Sequence, residues 1–318
     1  VCTGILVTAL IQSSSATTVM VVSFVNAGLM SLVQSIGVIM GANIGTTVTA
    51  WIISAIGFKV NIAAFALPLL GIGLPMVFSG KSKRKSIGEF VFGFSFLFMG
   101  LSYLQKSAEA LELGNIVANM LAGWAGNGGF FTILLFVFVG AVVTMIVQAS
   151  AATMAVTLML FDMQIPGFGF ELAAALAMGQ NIGTTITAFI ASMTANTQAR
   201  RAAFAHMFFN IFGVVFILLI FHPFCDAVTW FVTNVMGAGN NDLFKLSAFH
   251  SAFNICNTLL LIGFVKQIEK FVCWLLPQKE SDEEYRLQYI SAGILSTAEL
   301  SILEAQKEIH SYAERCNR

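Results

Sequence analysis

Long apolar stretches alternate with short polar segments along most of this chain. Uninterrupted stretches cover 61–78, 86–106, 203–221 and 243–265, and each approaches or reaches the length that a helix needs to cross a bilayer. Residues 1–27 and 130–160 are also apolar, but polar runs at Gln12 and Gln148 interrupt them, and each is too short for two spans. This pattern predicts two re-entrant helical hairpins whose tips lie at mid-depth in the membrane.

Two further spans carry polar runs of a second kind. Residues 31–56 contain Gly-Ala-Asn-Ile-Gly-Thr-Thr at 41–47, and residues 171–193 contain Gly-Gln-Asn-Ile-Gly-Thr-Thr at 179–185. Glycine lowers helix stability, and unwound backbone is tolerated at membrane depth where it faces protein or a polar cavity. We therefore expect each of these spans to be a broken transmembrane helix with an unwound centre.

The hairpin and the broken span occur twice in the same order. Within the hairpins, Gly4, Thr8 and Gln12 match Gly140, Thr144 and Gln148 in type and spacing. Paired, interrupted membrane segments in two halves of a chain are the sequence pattern of a transporter binding site. We expect residues 1–80 to form a first transport repeat and residues 81–222 to form a second. Residues 223–276 then contain an interfacial segment and the last span, and residues 277–318 begin a cytoplasmic helical domain.

Basic residues predict the orientation of the spans. Lys81–Lys85, Arg200–Arg201, Lys266 and Lys270 all fall on one side when the crossings are counted, and that side is expected to be cytoplasmic. The two hairpins then enter from opposite faces, so we predict an all-α integral membrane protein with inverted-topology repeats. Because a span precedes the second hairpin, a matching span is expected upstream of Val1.

Composition agrees with a membrane protein. Hydrophobic residues make up 57% of the 318 residues and charged residues only 10%, against roughly 25% charged in a soluble domain. The net charge is zero, which gives no electrostatic basis for binding nucleic acid. The five cysteines have no metal-ligand spacing and are interpreted as packing residues without disulfides. By contrast, 279–318 is rich in charge and is predicted to form an amphipathic, water-exposed helix.

The hairpin tips are candidates for binding an anion. Free backbone N–H groups and the positive end of the helix dipole favour negative charge at a helix N-terminus, and neutral hydroxyl and amide side chains can add donors. The candidate substrate-binding residues are Gln12, Ser13, Ser14, Ser15, Gln148, Ser150 and Thr153.

The runs in the broken spans are candidates for binding a cation. Unwound carbonyls and threonine hydroxyls suit a hard cation such as sodium. The candidate cation-binding residues are Asn43, Thr46, Thr47, Asn181, Thr184 and Thr185. The alternative is that these small residues serve close helix packing, but four clusters in two matched pairs favour a site.

The remaining polar residues give no catalytic arrangement, so we do not expect an enzyme. His206 with Asn210 and His250 with Asn254 each place histidine and asparagine on one helix face. They could form a polar contact between the last two spans or a site, and the structural contact is favoured.

At these motifs the chain resembles the type II sodium–phosphate cotransporter family. The resemblance is carried by Gln12–Ser15, its partner Gln148–Ala151, the two Asn-Ile-Gly-Thr-Thr runs and Arg200–His206, and it covers roughly 1–265. A shorter likeness at 297–308 is to the PhoU-like helical domain that bacterial members append, here truncated.

The resemblance implies sodium-coupled transport of inorganic phosphate by alternating access, with the anion between the two hairpin tips. It implies a multi-pass protein of the cell (inner) membrane, with sodium as coupling ion, lipid as surroundings, a cytoplasmic C-terminal domain and no cofactor. Ala149 and Ala151 stand where the family usually has serine. The alternatives are another small anion, such as a carboxylate or sulfate, and a membrane phosphate sensor or scaffold; a homodimer is left open.

Overall fold

A computed structural model describes residues 1–57, 62–124, 129–239, 241–277 and 305–310 of the chain. Every regular element in these ranges is helical, as the sequence predicts. Five helical segments are long and apolar enough to cross a membrane: Leu32–Ala55, Ser82–Ala110, Phe130–Val147, Thr197–Leu219 and Asp242–Leu275. The fold is therefore that of an all-α, multi-pass membrane protein.

Thirteen α-helices are described. In chain order they are α1 Cys2–Ile11, α2 Ser14–Asn26, α3 Leu32–Ile52, α4 Ile62–Val77, α5 Ser82–Ala110, α6 Leu113–Trp124, α7 Phe130–Val147, α8 Ser150–Asp162, α9 Phe170–Ser192, α10 Thr197–Leu219, α11 Phe221–Trp230, α12 Asp242–Leu261 and α13 Val265–Leu275. The π-helical turns Ile53–Gly57 and Phe231–Val235 follow α3 and α11, and a 3₁₀ turn, Ile262–Phe264, separates α12 from α13.

The two predicted hairpins form helix–turn–helix units, α1–α2 and α7–α8, with nearly the same backbone at their tips. Gln12 ends α1 in the left-handed conformation, with φ 58° and ψ 27°, and Gln148 ends α7 with φ 55° and ψ 21°. Each following residue, Ser13 or Ala149, is extended and begins the second helix. The backbone N–H of each glutamine donates to the carbonyl of the threonine four residues earlier, Thr8 or Thr144.

The prediction of broken spans is wrong. α3 runs as an α-helix through 41–47, and α9 runs through 179–185. The glycines there serve close packing instead: a Cβ on Gly41 would overlap the backbone of Val1 in the first unit, and a Cβ on Gly179 would overlap the carbonyl of Val137 in α7. Contacts of backbone with backbone at a glycine are typical of tightly packed membrane helices.

Matched packing extends beyond the hairpins. α10 packs on α2, α3 and α9, and α12 packs on α8, α9 and α3, so these two helices hold corresponding places against the two units. α4 and α5 pack chiefly on each other, away from this centre. α9 is not apolar enough to count among the five candidate spans, and its middle is buried, so its polar residues face protein.

Contacts also join the open ends of the hairpins to α10 and α12. The Asn26 side chain, at the end of α2, accepts from the backbone N–H of Asn196 at 2.7 Å, and Asn196 caps the start of α10. Just after α8, the amide of Gln164 donates to Asp242, the first residue of α12, at 3.3 Å.

The predicted last span, 243–265, differs from the structure at its C-terminal end. α12 ends at Leu261, and α13 follows as an amphipathic helix that buries Ile268 and Val272 against α3 and α10. Arg201 Nε donates to the Leu276 carbonyl at 3.0 Å, which fastens the end of α13 to the start of α10. The predicted amphipathic segment at 279–318 lies outside the described residues, apart from a helical piece at 305–310.

Candidate functional site

The tip of the first unit fixes most of its polar side chains. Ser13 Oγ caps α2 by accepting from the Ala16 N–H at 3.2 Å. The Gln12 amide donates to the Ala9 carbonyl at 2.6 Å, and its oxygen accepts from the Thr49 hydroxyl of α3 at 2.8 Å. These bonds hold the tip against α3 in a defined position.

Ser14 combines burial with an unpaired hydroxyl in this tip. Its side chain is only 3% exposed, and its hydroxyl has no partner within the described part of the chain. Leaving a buried hydroxyl unpaired costs about 1–3 kcal/mol. The Ser14 hydroxyl, beside the free N–H groups of the first turn of α2, is therefore a donor available to a ligand.

The tip of the second unit is more open. Ala149 has no side chain that could cap α8, so the Ala152 N–H lacks the bond that Ala16 makes in the first tip. Gln148 is exposed, and no described residue hydrogen-bonds to its side chain. Thr187, which corresponds to Thr49, donates instead to the Thr184 carbonyl of its own helix at 2.9 Å. Compared with the first tip, the second tip therefore has fewer serine hydroxyls and one more free backbone N–H group.

The remaining candidates on the second tip are held differently from one another. Ser150 is half-buried, whereas Thr153 is buried and its hydroxyl donates to the Ala149 carbonyl at 3.1 Å. In the first tip, Ser15 is also half-buried. No hydrogen bond between described residues joins the two tips.

The four threonines predicted to bind a cation point their hydroxyl protons at their own helices. Thr46, Thr47, Thr184 and Thr185 donate to the carbonyls of Ala42, Ile44, Gln180 and Ile182. The hydroxyl oxygens keep lone pairs that could coordinate a cation. The backbone carbonyls there belong to continuous helices, so the unwound carbonyl ligands expected from the sequence are not formed.

Asn43 lies at the centre of a buried polar cluster between α3 and α10. Its carboxamide oxygen accepts from His206 Nε2 at 3.4 Å, and its nitrogen donates to Asn210 Oδ1 at 3.3 Å. The nitrogen of Asn210 in turn donates to the His206 carbonyl at 2.9 Å. Every polar atom of the two asparagine side chains is used.

The corresponding cluster between α9 and α12 is incomplete. The Asn181 oxygen accepts from His250 Nε2 at 3.1 Å, and the Asn254 nitrogen donates to the His250 carbonyl at 2.9 Å. Asn181 Nδ2 and Asn254 Oδ1, however, have no partner among the described residues. The sequence favoured a polar contact between the last two spans for these histidines. That prediction is wrong about the partner, because His206 contacts Asn43 of α3 and His250 contacts Asn181 of α9.

Gln180 is a functional candidate that the sequence analysis missed. It is 2% exposed, and its amide donates to the Thr157 hydroxyl at 2.6 Å, while its oxygen has no described partner. The first run has Ala42 at this position, so comparing the two runs residue by residue could have found it.

The described residues contain no group of three or more histidine, cysteine or acidic side chains that could hold a metal ion. The described cysteines are free thiols: Cys2, Cys225, Cys256 and Cys273. The amide and hydroxyl oxygens of the six candidate residues on α3 and α9 are neutral, and such ligands suit a monovalent cation better than a divalent one, which usually requires carboxylates.

Comparison with known proteins identifies related transporters. The family described as Na+/Pi-cotransporter matches residues 1–106. YqeW of Bacillus subtilis, an uncharacterized protein, is 31% identical over 87% of this chain and 84% of its own length. No solved structure matches the chain.

Two further relatives carry names that refer to phosphate. YjbB of Escherichia coli, named for inorganic phosphate export, is 27% identical over 96% of this chain and 53% of its own length. Sodium-dependent phosphate transport protein 2A of Ovis aries is 55% identical over 51 residues, which cover 16% of this chain and 8% of the relative. The chain spans about half the length of the YjbB proteins that it matches. With matched helix–turn–helix units at the positions of the family motifs, the chain belongs to the Na+/Pi-cotransporter family and is a transport protein rather than an enzyme.

Proposed function

We propose that this protein is a sodium-coupled secondary transporter of inorganic phosphate that works by alternating access. The observation that carries the proposal is the pair of tips with the same backbone conformation, one of which presents the buried, unpaired hydroxyl of Ser14. Membership of the Na+/Pi-cotransporter family and the names of its relatives support phosphate as the substrate. The anion is held between the two tips, by Gln12–Ser15 on one side and by Gln148 and Ser150 on the other, and Thr153 supports the second tip through its bond to the Ala149 carbonyl.

Contacts at the helix ends support inverted repeats with re-entrant hairpins. The open end of the first hairpin, at Asn26, lies near the start of α3 in the chain. The open end of the second hairpin meets Asp242 at the start of α12, where the Ser247 hydroxyl donates to the carbonyl of Ala50 at the end of α3. Since α3 has 21 residues, it is about 31 Å long, and the two hairpins open toward opposite ends of it.

This arrangement supports the alternating-access part of the proposal. In our proposal residues 1–80 and 81–222 are the inverted repeats. Residues 223–276 contain the interfacial segment and the last span, and residues 277–318 begin a cytoplasmic PhoU-like domain. Lys81–Lys85 and the start of α10 then face the cytoplasm across the inner membrane. Each tip is then reached from a different side of the membrane, so a shift of one repeat against the other exposes the anion to one side at a time.

The cation sites in this proposal use side-chain oxygens rather than unwound backbone. Asn43, Thr46 and Thr47 supply oxygens in α3, and Asn181, Thr184 and Thr185 supply them in α9. All six lie in the helices against which the first arms of the hairpins pack. A sodium ion bound there would fix the positions of α3 and α9 relative to the hairpin tips that pack on them. Because the anion binds at those tips, the binding of sodium would then be coupled to the binding of the anion.

A second candidate function is transport of another small anion, such as sulfate or a carboxylate. The observation that favours it is the absence of serine hydroxyls at Ala149 and Ala151, which leaves the second tip with fewer hydroxyl donors and one more free backbone N–H group. Backbone N–H groups bind sulfate and carboxylate as well as phosphate.

Flux into proteoliposomes tests both functions. Radiolabelled phosphate should move down an imposed sodium gradient and stop when choline replaces sodium, and excess unlabelled sulfate should not compete. Phosphate flux that ignores sodium but follows a proton gradient would contradict the sodium coupling. Flux of labelled sulfate in preference to phosphate would support the second candidate.

A further inference from the structure

The middle of α12 carries three buried oxygen atoms that no described residue hydrogen-bonds. They are Asn254 Oδ1, Asn257 Oδ1 and Thr258 Oγ1, and the three side chains are 0%, 1% and 3% exposed. Residues spaced by three and four along an α-helix lie on one face, with neighbouring Cβ atoms about 5–6 Å apart. The three side chains therefore lie on a single face of α12.

The hydrogen bonds of the two amides show which of their atoms remain available. The Asn254 nitrogen donates to the His250 carbonyl, and the Asn257 nitrogen donates to the Phe209 carbonyl of α10, both at 2.9 Å. Both NH₂ groups are thus engaged by carbonyl oxygens, and it is the acceptor ends that lack a partner. Buried amide and hydroxyl oxygens with free lone pairs are suited to a cation.

Thr258 differs from the threonines of the neighbouring polar helices. The hydroxyls of Thr46, Thr47, Thr184 and Thr185 all donate to carbonyls of their own helices, whereas the Thr258 hydroxyl makes no such bond in the structure. Its oxygen belongs with the two amide oxygens rather than with the helix backbone.

The corresponding face of α10 has a different composition. When His206 is matched to His250, the positions of Asn254, Asn257 and Thr258 correspond to Asn210, Gly213 and Val214. Asn210 accepts a bond from Asn43, and Gly213 leaves the space that Asn257 fills, because a Cβ there would overlap its carboxamide. The oxygen group is thus specific to α12, and α10 is shaped to receive it.

We propose that the oxygens of Asn254, Asn257 and Thr258 form a sodium site on α12, distinct from the six candidates on α3 and α9. The site rests on the proposed sodium coupling and adds a location for a coupling ion. Three neutral oxygens favour a monovalent cation, since a divalent ion in a low-dielectric interior requires carboxylates. Bound there, sodium would fix α12 against α10 through Asn257 and would set the position of His250 against Asn181.

The test measures sodium binding directly, in the absence of phosphate. Thermal unfolding of the purified protein in detergent is followed while sodium chloride is raised at constant ionic strength, with choline chloride as the balance. A ligand that binds the folded state raises its stability according to its concentration and Kd. Thr258→Val removes one oxygen at constant shape, and Val214 shows that the matched position of α10 accepts this residue.

We expect Thr258→Val to raise the sodium concentration for half-maximal stabilisation about tenfold, the order expected when one hydrogen-bond-like contact with an ion is lost. Thr258→Ser keeps the oxygen and should stay close to wild type. Thr229→Val is the matched control, because the Thr229 hydroxyl donates only to its own helix, at Cys225. If Thr258→Val does not fold, Thr258→Cys keeps a polar side chain of similar size while replacing oxygen by sulfur, a softer and poorer ligand for a hard cation.

The outcomes separate this site from the proposed function. Sodium-dependent phosphate flux in wild type, together with an unshifted sodium response in Thr258→Val, would overturn the site alone and would leave the oxygens as a place for water. Equal stabilisation by potassium would overturn the assignment to sodium. A wild-type protein whose flux and stability both ignore sodium would overturn the sodium coupling and the site with it.

Discussion

The carboxamide oxygen of Gln12 accepts a hydrogen bond of 2.8 Å from the hydroxyl of Thr49, which joins the first hairpin tip to α3. The corresponding pair, Gln148 and Thr187, does not bond, and Thr187 donates to its own helix. The same difference appears at the asparagines, since Asn43 bonds to Asn210 but Asn181 does not bond to Asn254. The first unit therefore has a Gln–Thr bond to α3 and an Asn–Asn bond between α3 and α10 that the second unit lacks, while the second unit is tied to α9 through Gln180 and Thr157.

Replacing Thr49 should affect function more than replacing Thr187. Thr49→Val removes the only described bond to the Gln12 oxygen, which should release the tip and weaken phosphate binding by roughly tenfold. Thr187→Val removes only a bond within α9, so a change below about threefold is expected. Phosphate binding to the purified variants checks this, and equal losses in both would contradict the asymmetry.

Ser14 is expected to donate directly to the anion. A hydrogen bond to a charged ligand contributes about 1.5–3 kcal/mol, so Ser14→Ala should weaken phosphate binding by about ten- to a hundredfold. Ser23→Ala is the matched control, because the Ser23 hydroxyl lies on the same helix and bonds to the Val19 carbonyl. If Ser14→Ala binds phosphate like wild type, the first tip does not hold the anion through this hydroxyl.

Restoring serine in the second tip should stabilise the protein more than it improves binding. In Ala149→Ser, the new hydroxyl can cap the Ala152 N–H as Ser13 caps Ala16, a bond that contributes about 1 kcal/mol to stability. The same bond removes a free N–H from the anion, so the gain in phosphate affinity should stay below tenfold. Thermal unfolding and phosphate binding are measured on the same preparation. A large gain in affinity without a rise in stability would show that the hydroxyl faces the ligand instead.

The glycines of the polar runs should prove to be packing residues. Gly179→Ala places a Cβ onto the carbonyl of Val137, which should separate α7 from α9 and lower the unfolding temperature by several degrees or prevent folding. Gly93→Ala in α5 is the control, because a Cβ there meets no described atom, and alanine favours a helix over glycine by about 0.8–1 kcal/mol. Similar unfolding temperatures for the two variants would contradict the close packing of α7 on α9.

The sequence by itself determined the class of the protein and the position of its motifs. The scarcity of charge and the length of the apolar stretches required helices in a membrane, because each backbone polar group must be paired within its own helix there. The polar runs at Gln12 and Gln148 located both turns, since each interrupts an apolar stretch too short for two spans. The recurrence of Gly4, Thr8 and Gln12 at Gly140, Thr144 and Gln148 indicated two matching units.

Only the tertiary structure decided what the glycine-containing runs do and which polar side chains meet. A glycine lowers helix propensity and also permits close packing, and the sequence around Gly41 or Gly179 does not distinguish the two effects. The packing of α1 on α3 and of α7 on α9 determines which effect prevails, because the contact with a neighbouring backbone stabilises the continuous helix. Likewise, His206 and Asn43 are distant in the chain, and their contact exists only because α10 packs on α3. Some differences between the two units, such as Ala149 in place of the capping Ser13, can be read from the sequence. The bonds of Thr49 to Gln12 and of Asn43 to Asn210 depend on long-range contacts that no local pattern encodes.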